Sequence, residues 1–441
     1  MKLIFGHLLF IIYFVAEARI VFENDSEAQK ISGTNHTPPI MDIATKTRAH
    51  KLISQALGRL CLEIEDAVFK SSHVENIIFS PLSIASALAI VLLGAQGITY
   101  KEVANLLGVS AGIDLTGRNN LVHEELASLI DRLRIQHGLK SGLEVSVASA
   151  VFVQQGLNVK EYFKNTAQEL YKCDVLDMDF KHNSEISRKQ INQWVENKTD
   201  GHIKKLLETT LSHFTKSIIA NAIYFKGQWE YPFYPENITK MKPFHISRNE
   251  TIDVPTMVNN ADIPYYIDKE RNCTIIGIPY KGLKVTMFIV IPNNDIRDLI
   301  ANLTINDLNQ FVDSTKITSV IFFVPKMKLE STIHMRKPFE DLGITSLFSP
   351  DIANLSNIAE NVFVNEIVHK IDIEITESGT TAAAATAISI YKDGSTPVVK
   401  VDKPFIFFIR HNETEVILFW GTVKKPNYHW TSLHHNHLKN P

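Results

Sequence analysis

The chain has 441 residues, with 45 Lys and Arg against 48 Asp and Glu for a formal charge of −3, and 45% of it is hydrophobic. That balance argues against general nucleic-acid binding, which relies on concentrated positive charge, and the composition excludes a disordered or collagen-like chain. Three cysteines, Cys61, Cys173 and Cys273, exclude a disulfide-stapled scaffold; at most one pair can bridge, and buried, unpaired thiols are the simpler reading.

Residues 1–18 read as a secretory signal. Lys2 opens it, Leu3–Val15 is an apolar run broken only by Gly6 and His7, and Ala16-Glu17-Ala18 matches a small-x-small cleavage site. The run is too short to span a membrane comfortably, and no later segment is apolar for long enough. A secreted, extracellular protein is the expectation. Nine Asn-x-Ser/Thr sequons, at Asn24, Asn35, Asn197, Asn237, Asn249, Asn272, Asn302, Asn354 and Asn412, support export as a glycoprotein.

Residues 19–48 are polar, contain Pro38-Pro39 and read as a flexible N-terminal extension. Order begins with a helix in which Ile53, Leu57, Leu60, Ile64 and Val68 recur at helical spacing, leaving Glu63, Glu65 and Asp66 mostly for the other side. A strand at Leu143–Val153 precedes helices at Val159–Tyr171 and Ile186–Thr199. Strands follow at Ile218–Phe225, Thr274–Ile278, Val285–Ile291 and Ser319–Val324, then a helix at Met335–Leu342, then strands at Val362–Ile375 and Phe405–Ile409. No repeat and no Pro/Gly/Ser linker divides these elements, so residues 49–426 read as one mixed domain. Residues 427–441 form a tail with His429, His434, His435 and His437, a solvated segment rather than a built metal site.

The enzyme signatures with clear mechanics are missing: no GxSxG elbow, GxxxxGK[ST] phosphate loop, GxGxxG turn or HExxH zinc helix. His123-Glu124-Glu125 begins like a zinc motif, but Ala127 stands where the second histidine is required. No catalytic residue, metal or cofactor is expected.

The unusual segment is Glu377-Ser-Gly-Thr-Thr-Ala-Ala-Ala-Ala-Thr386, continuing through Tyr391-Lys-Asp-Gly-Ser-Thr-Pro397. Alone it reads as an alanine-rich linker or a short helix opened by Ser378 or Thr380. Its setting says more, because a long connection between two strongly strand-like runs in a compact domain is usually functional or disordered. In an extended strand Thr380, Ala382, Ala384 and Thr386 share one face, with Thr381, Ala383 and Ala385 on the other, and none is charged or bulky. Such a segment is chemically able to enter a sheet.

From about residue 49 to Pro426 the chain resembles the serpin family. The resemblance is carried by Asn76-Ile-Ile-Phe-Ser-Pro-Leu-Ser-Ile-Ala-Ser-Ala-Leu88, Asn221-Ala-Ile-Tyr-Phe-Lys-Gly-Gln-Trp229, His369-Lys370 and Val401-Asp-Lys-Pro-Phe-Ile-Phe-Phe-Ile409. It implies an α+β fold of three β-sheets with surrounding helices, an exposed reactive-centre loop at about residues 377–397 and a metastable native state. It also implies suicide-substrate trapping, in which the cut loop enters the main sheet and drags an acylated serine protease with it.

By that resemblance the hinge comprises Glu377, Gly379, Thr380, Ala382, Ala383, Ala384, Ala385 and Thr386. Lys326 is similar to the salt-bridge partner of Glu377, Trp229 to a tryptophan packed where insertion begins, and Ser80, Ser83, Asn221 and His369 to a polar cluster controlling sheet opening. Ser149 stands where the family usually has asparagine, which puts one sheet-centre hydrogen bond in question. Non-inhibitory members, which act as carriers, chaperones or storage proteins, commonly carry proline, charge or bulk in the hinge; this hinge has none between Gly379 and Thr386.

The family's spacing, about fourteen residues on from Gly379, lands on the Asp393-Gly394 bond. The neighbouring Lys392-Asp393 bond suits a trypsin-like protease, whose pocket carboxylate pairs with lysine. Both registers stand, with Lys392 favoured on charge pairing. Arg118, Arg132, Arg134 and Lys140 are mixed with Glu124, Glu125 and Asp131, so strong heparin dependence is not expected. The expected protein is a monomer whose partner is an extracellular serine protease. The long N-terminal extension and sequons resemble serpins of arthropod haemolymph, which restrain clotting, melanisation and innate immune cascades.

Overall fold

The computed structural model describes residues 43–71, 75–108, 121–135, 142–377 and 396–427. Outside them lie the secretory signal, Asn24 and Asn35, Arg118 and Lys140, the hinge from Gly379 to Thr386, the Lys392–Gly394 reactive bond and the histidine tail; the side chains of Arg132 and Arg134 lie outside as well.

Helix α1 spans Ile43–Ser71, so residues 43–48 of the expected extension are helical, consistent with the good helix formers Ala44, Lys46, Arg48 and Ala49. The short strand β1 (Ile77–Phe79) leads into α2 (Pro81–Gly94), where Ser80 caps the first turn and Pro81 sits where no N–H is needed. Nearly every residue of α2 is buried, so it has no polar face and shows no helical periodicity. There follow α3 (Gly97–Leu106), α4 (Leu121–Ile135), β2 (Leu143–Gln154), α5 (Glu161–Tyr171), β3 (Asp174–Met178), α6 (Phe180–Lys198) and β4 (Ser217–Gly227). The middle of the chain supplies β5 (Lys240–His245), β6 (Thr251–Asp268), β7 (Cys273–Pro279), β8 (Val285–Pro292), α7 (Ile296–Ala301), α8 (Ile305–Asp313) and β9 (Lys316–Pro325). The last elements are β10 (Met327–His334), α9 (Arg336–Asp341), β11 (Glu366–Ile375), β12 (Val398–Lys400), β13 (Phe405–His411) and β14 (Ile417–Val423).

Two sheets result. One has five strands in the order β10-β11-β4-β2-β3. The other has nine, in the order β1-β14-β13-β8-β7-β6-β9-β12, with β5 also on β6. The three expected sheets are present as two because the eighteen-residue β6 runs through both smaller ladders, pairing β5 and β9 along one part and β7 at its end. Alternation along β4 and β11 gives the five-stranded sheet two covered faces. Ala220, Tyr224 and Val368 pack under Ile191 and Val195 of α6, while Ile219, Ile223 and Ile371 belong to the main core with α2. The three cysteines are buried free thiols.

The outward placing of Glu65 is overturned. Glu65, assigned to the outer side of α1, is 0% exposed. Counting i+3 and i+4 from Leu57 through Cys61 and Ile64 places Glu65 on the apolar stripe, so its carboxylate had to be satisfied inside. Arg297 Nη1 lies 2.9 Å from Oε1, Thr422 Oγ1 donates to Oε1 at 3.0 Å, and Trp420 Nε1 donates to Oε2 at 3.0 Å. The Arg297 guanidinium also stacks 3.5 Å over the Phe69 ring. Burial raises the Glu65 carboxyl above its ordinary value, with Arg297 opposing.

Removing one partner of such a pair leaves the other charge buried alone. Glu65→Ala is therefore expected to lower stability by about 3–5 kcal/mol, and Glu63→Ala, on the accessible side, by less than about 0.5 kcal/mol. Matched thermal unfolding of the two variants checks the contrast.

Candidate functional site

The site is organised around one seam. In the five-stranded sheet β11 and β4 are neighbours and run parallel, in continuous register from Glu366↔Ile218 to Glu374↔Lys226. The chain leaves β11 at Ile375 and passes through Thr376 and Glu377 into the loop. A strand reversing there and running back between β11 and β4 would be antiparallel to both. It would replace one parallel ladder with two antiparallel ones, the slightly more stable kind.

At the loop end of the seam the sheet is clamped. Lys326 links β9 to β10, and its backbone N–H donates to Pro255 O at 2.8 Å. Its ammonium, in a residue 5% exposed, must meet negative charge to lie there. It reaches Glu377 Oε2 at 2.9 Å and Glu236 Oε1 at 2.6 Å. Thr239 Oγ1 donates to the other Glu377 oxygen at 2.6 Å, and Trp229 Nε1 donates to Thr376 O at 2.9 Å. The Trp229 ring is fixed by stacking on Tyr280, 4.5 Å between centroids, and by an edge contact with Phe233. The sequence reading paired Lys326 with Glu377 and placed Trp229 beside them; it missed Glu236 and Thr239. These sit on a proline-opened turn 90 residues before Lys326, read only as the sequon of Asn237, and no local periodicity signals their reach.

Midway along the seam Asn221 on β4 stands opposite both His369 on β11 and Ser149 on β2. The Ser80 N–H donates to His369 Nε2 at 3.1 Å, so Nε2 carries no proton and Nδ1–H donates to Asn221 Oδ1 at 3.0 Å. The Ser83 hydroxyl donates to the same Asn221 oxygen, and the Ser83 N–H donates to Ser80 Oγ at 3.2 Å. Asn221 Nδ2 donates to Ser149 Oγ at 3.2 Å. The bond put in question by serine at 149 is therefore made, with a hydroxyl as acceptor. The cluster ties β2, β4, β11 and the start of α2 together beneath the seam.

Other sequence-singled residues fall elsewhere. Asn197, Asn237, Asn249, Asn272, Asn302 and Asn412 are exposed, and Asn354 is half-buried. Asn412 already donates its amide hydrogens to Leu283 O and Thr286 Oγ1. His123 is a core residue, its Nδ1 2.5 Å from the Tyr171 hydroxyl. No group of His, Cys, Asp and Glu among the described residues has the arrangement of a metal site.

Burial pushes the His369 imidazole from 6.5 down to about 3, so the native state holds it neutral. Between those values the unfolded chain binds a proton that the folded chain refuses, and stability falls as pH drops through that window. The loss is expected to be on the order of a few kcal/mol. Melting curves from pH 7 to pH 4 should show that slope in the wild type and a shallower one in His369→Asn; equal slopes would remove His369 from the account.

The profile described as "Serpin (serine protease inhibitor)" matches residues 55–426. Leukocyte elastase inhibitor A of Mus musculus is 33% identical over 392 residues, covering 85% of this chain and 99% of that protein. The crystal structure of mouse protein-Z dependent protease inhibitor aligns with a TM-score of 0.77 at 26% identity, over 88% of this chain and 100% of that one. Thyroxine-binding globulin in complex with thyroxine aligns with a TM-score of 0.75 at 26% identity, over 85% and 99% of the two chains. No helix among the described residues is long and apolar enough to cross a membrane. A profile match over most of the chain, a relative sharing a third of its residues nearly end to end, and a parallel seam with its lysine clamp lead to one conclusion: the chain belongs to the serpin family of serine protease inhibitors.

Proposed function

We propose that the protein is a secreted, glycosylated, monomeric inhibitor that traps an extracellular trypsin-like serine protease by loop cleavage and insertion. The observation that carries this reading is the seam: β11 delivers the loop to the end of its own parallel junction with β4, which one returning strand can fill with antiparallel pairing on both sides. The protease serine attacks the carbonyl of Lys392, the Lys392-Asp393 bond breaks, and the amine of Asp393 leaves with a proton from the protease histidine. The resulting ester stays intact because the freed hinge enters the seam and distorts the protease before water can attack. Asp393-Gly394 is the alternative bond, and Asp393 would then carry the ester.

The hinge supports insertion over carriage. Thr380, Ala382, Ala384 and Thr386 place only small side chains on the face turned toward the core. Export is supported by the Lys2–Ala18 pattern and by the exposure of six sequon asparagines. The likeness to thyroxine-binding globulin keeps a ligand carrier as the second reading.

Incubation with trypsin-like proteases separates the two. The inhibitor reading expects a detergent-stable complex and a released peptide beginning at Asp393, or at Gly394 for the alternative bond; a chain that is only nicked, or untouched, supports the carrier. Thr380→Arg sharpens the test, since insertion would bury an unpaired charge at a cost of several kcal/mol. The variant should fold and be cut as a substrate, lose nearly all complex, and show no rise in thermal stability after cleavage. Wild-type trapping by this variant would contradict insertion.

A further inference from the structure

Arg297, at the start of α7, is satisfied on one side only. A guanidinium is a rigid fork of N–H donors, and those on Nε and Nη2 point the same way, at a spacing that matches two oxygens of one oxyanion. Nη1 serves Glu65. Nε and Nη2 are buried and have no hydrogen-bond partner among the described residues. Unpaired donors on a buried cation are costly, and native structures seldom keep them without an ion or water to meet them. A second cation stands beside this fork. Lys424 follows β14, and its ammonium lies 5.0 Å from the centroid of the same Phe69 ring over which the Arg297 guanidinium stacks at 3.5 Å. Asn76 fixes the backbone there: its Oδ1 accepts from the Lys424 and Lys425 N–H groups at 2.9 and 3.0 Å, and its Nδ2 donates to Lys425 O at 2.8 Å. Lys425 turns to Glu75 at 3.3 Å, whereas the half-buried Lys424 has no carboxylate at ion-pair distance among the described residues. Two carboxylates lie near the pair. Glu65 is taken up by Arg297, Thr422 and Trp420, and Asp295 Oδ1 accepts from the Arg297 backbone N–H at 2.7 Å. Burial and then the Arg297 charge push the Lys424 ammonium below its ordinary value.

We propose that the Arg297 fork and the Lys424 ammonium form a binding site for one tetrahedral oxyanion, sulfate or phosphate, beside the Phe69 ring. A fork and an ammonium together suit an ion with three oxygens to offer, better than a carboxylate with two or a water with no charge. Phe69 is 40% exposed, so the site opens to solvent at that ring. The fork nitrogens are closed to solvent, and the ion reaches them as the flexible Lys424 arm swings out and folds back onto it. Bound there, it neutralises the second cation and ties together the end of α1, the start of α7 and the segment after β14. The same chemistry is offered by the free ion and by a sulfate ester on a glycan.

Isothermal titration of the full chain with sodium sulfate, at ionic strength held constant with sodium chloride, tests the site. The wild type should bind one sulfate. Arg297→Ala would leave Glu65 buried alone and endanger the fold. Arg297→Lys instead keeps a charge for Glu65 but has no fork, and should weaken binding by about tenfold or more. Lys424→Gln should weaken it about tenfold, and this contrast decides the matter if Arg297→Lys does not fold. Lys425→Gln, whose charge is committed to Glu75, should bind as the wild type does. Matched thermal unfolding gives a second readout: sulfate stabilises proteins generally by exclusion from their surface, so the site is read from the excess of the wild type over Lys424→Gln. A monosulfated disaccharide that binds about tenfold more tightly than sulfate upholds the site with a glycan ester as its ligand; equal or weaker binding upholds it with the free ion. A wild type that binds neither probe, or binding that Lys424→Gln and a folded Arg297→Lys leave unchanged, overturns the site.

Discussion

The parallel junction between β4 and β11 is the constraint on which the rest of the molecule depends. Two neighbouring strands running the same way leave each other hydrogen-bonded by a slanted, slightly weaker ladder, and the chain leaving β11 is already at the junction's open end. The native sheet is thus complete yet improvable. On the insertion reading proposed above, such a state persists because of a barrier rather than because it lies lowest in free energy. Packing on both faces reinforces the barrier, with α6 over one side and α2 under the other.

On that reading the polar groups along the junction lie where opening would begin and where it would pass. At the loop end the constraint is electrostatic, a buried ammonium that has to keep a carboxylate. Midway it is directional hydrogen bonding: His369 is neutral, in one tautomer, and bonded to Ser80 on one side and Asn221 on the other. Separating β11 from β4 breaks the His369–Asn221 bond directly. Both clusters are fully compensated in the closed sheet, and each loses a partner when the strands part, which is how buried polar groups store a barrier.

Much of this was legible in the amino-acid sequence, for physical reasons that also explain the gaps. Runs such as Met287–Ile291 and Phe405–Ile409 are continuous in apolar residues because both strands are buried on both faces. The strand expected from Val362 begins only at Glu366, because Val362, Phe363 and Val364 are apolar without pairing in a sheet. β6 escaped notice because Pro255 and Pro264 interrupt it and its burial alternates irregularly along its eighteen residues. α2 shows no periodicity because it is apolar all round. Glu65 was misplaced because a charged residue is ordinarily sent outward, and only Trp420, Thr422 and Arg297, all distant in sequence, reveal why it goes inward. Glu236 and Thr239 were missed for the same reason: their roles exist only through the tertiary path that brings their turn to Lys326 and Glu377.

The central claim is that the β4–β11 junction is filled by the chain's own loop once that loop is cut. Hydrogen exchange at the backbone amides of residues 217–227 and 366–375, before and after cleavage, measures this directly. The account predicts that exchange across both strands, including Asn221 and His369, slows about a hundredfold or more in the cut protein, as the locally openable junction becomes part of the most stable unit. Unchanged or faster exchange in the cut protein would show that the junction stays closed on itself, and the account would be wrong.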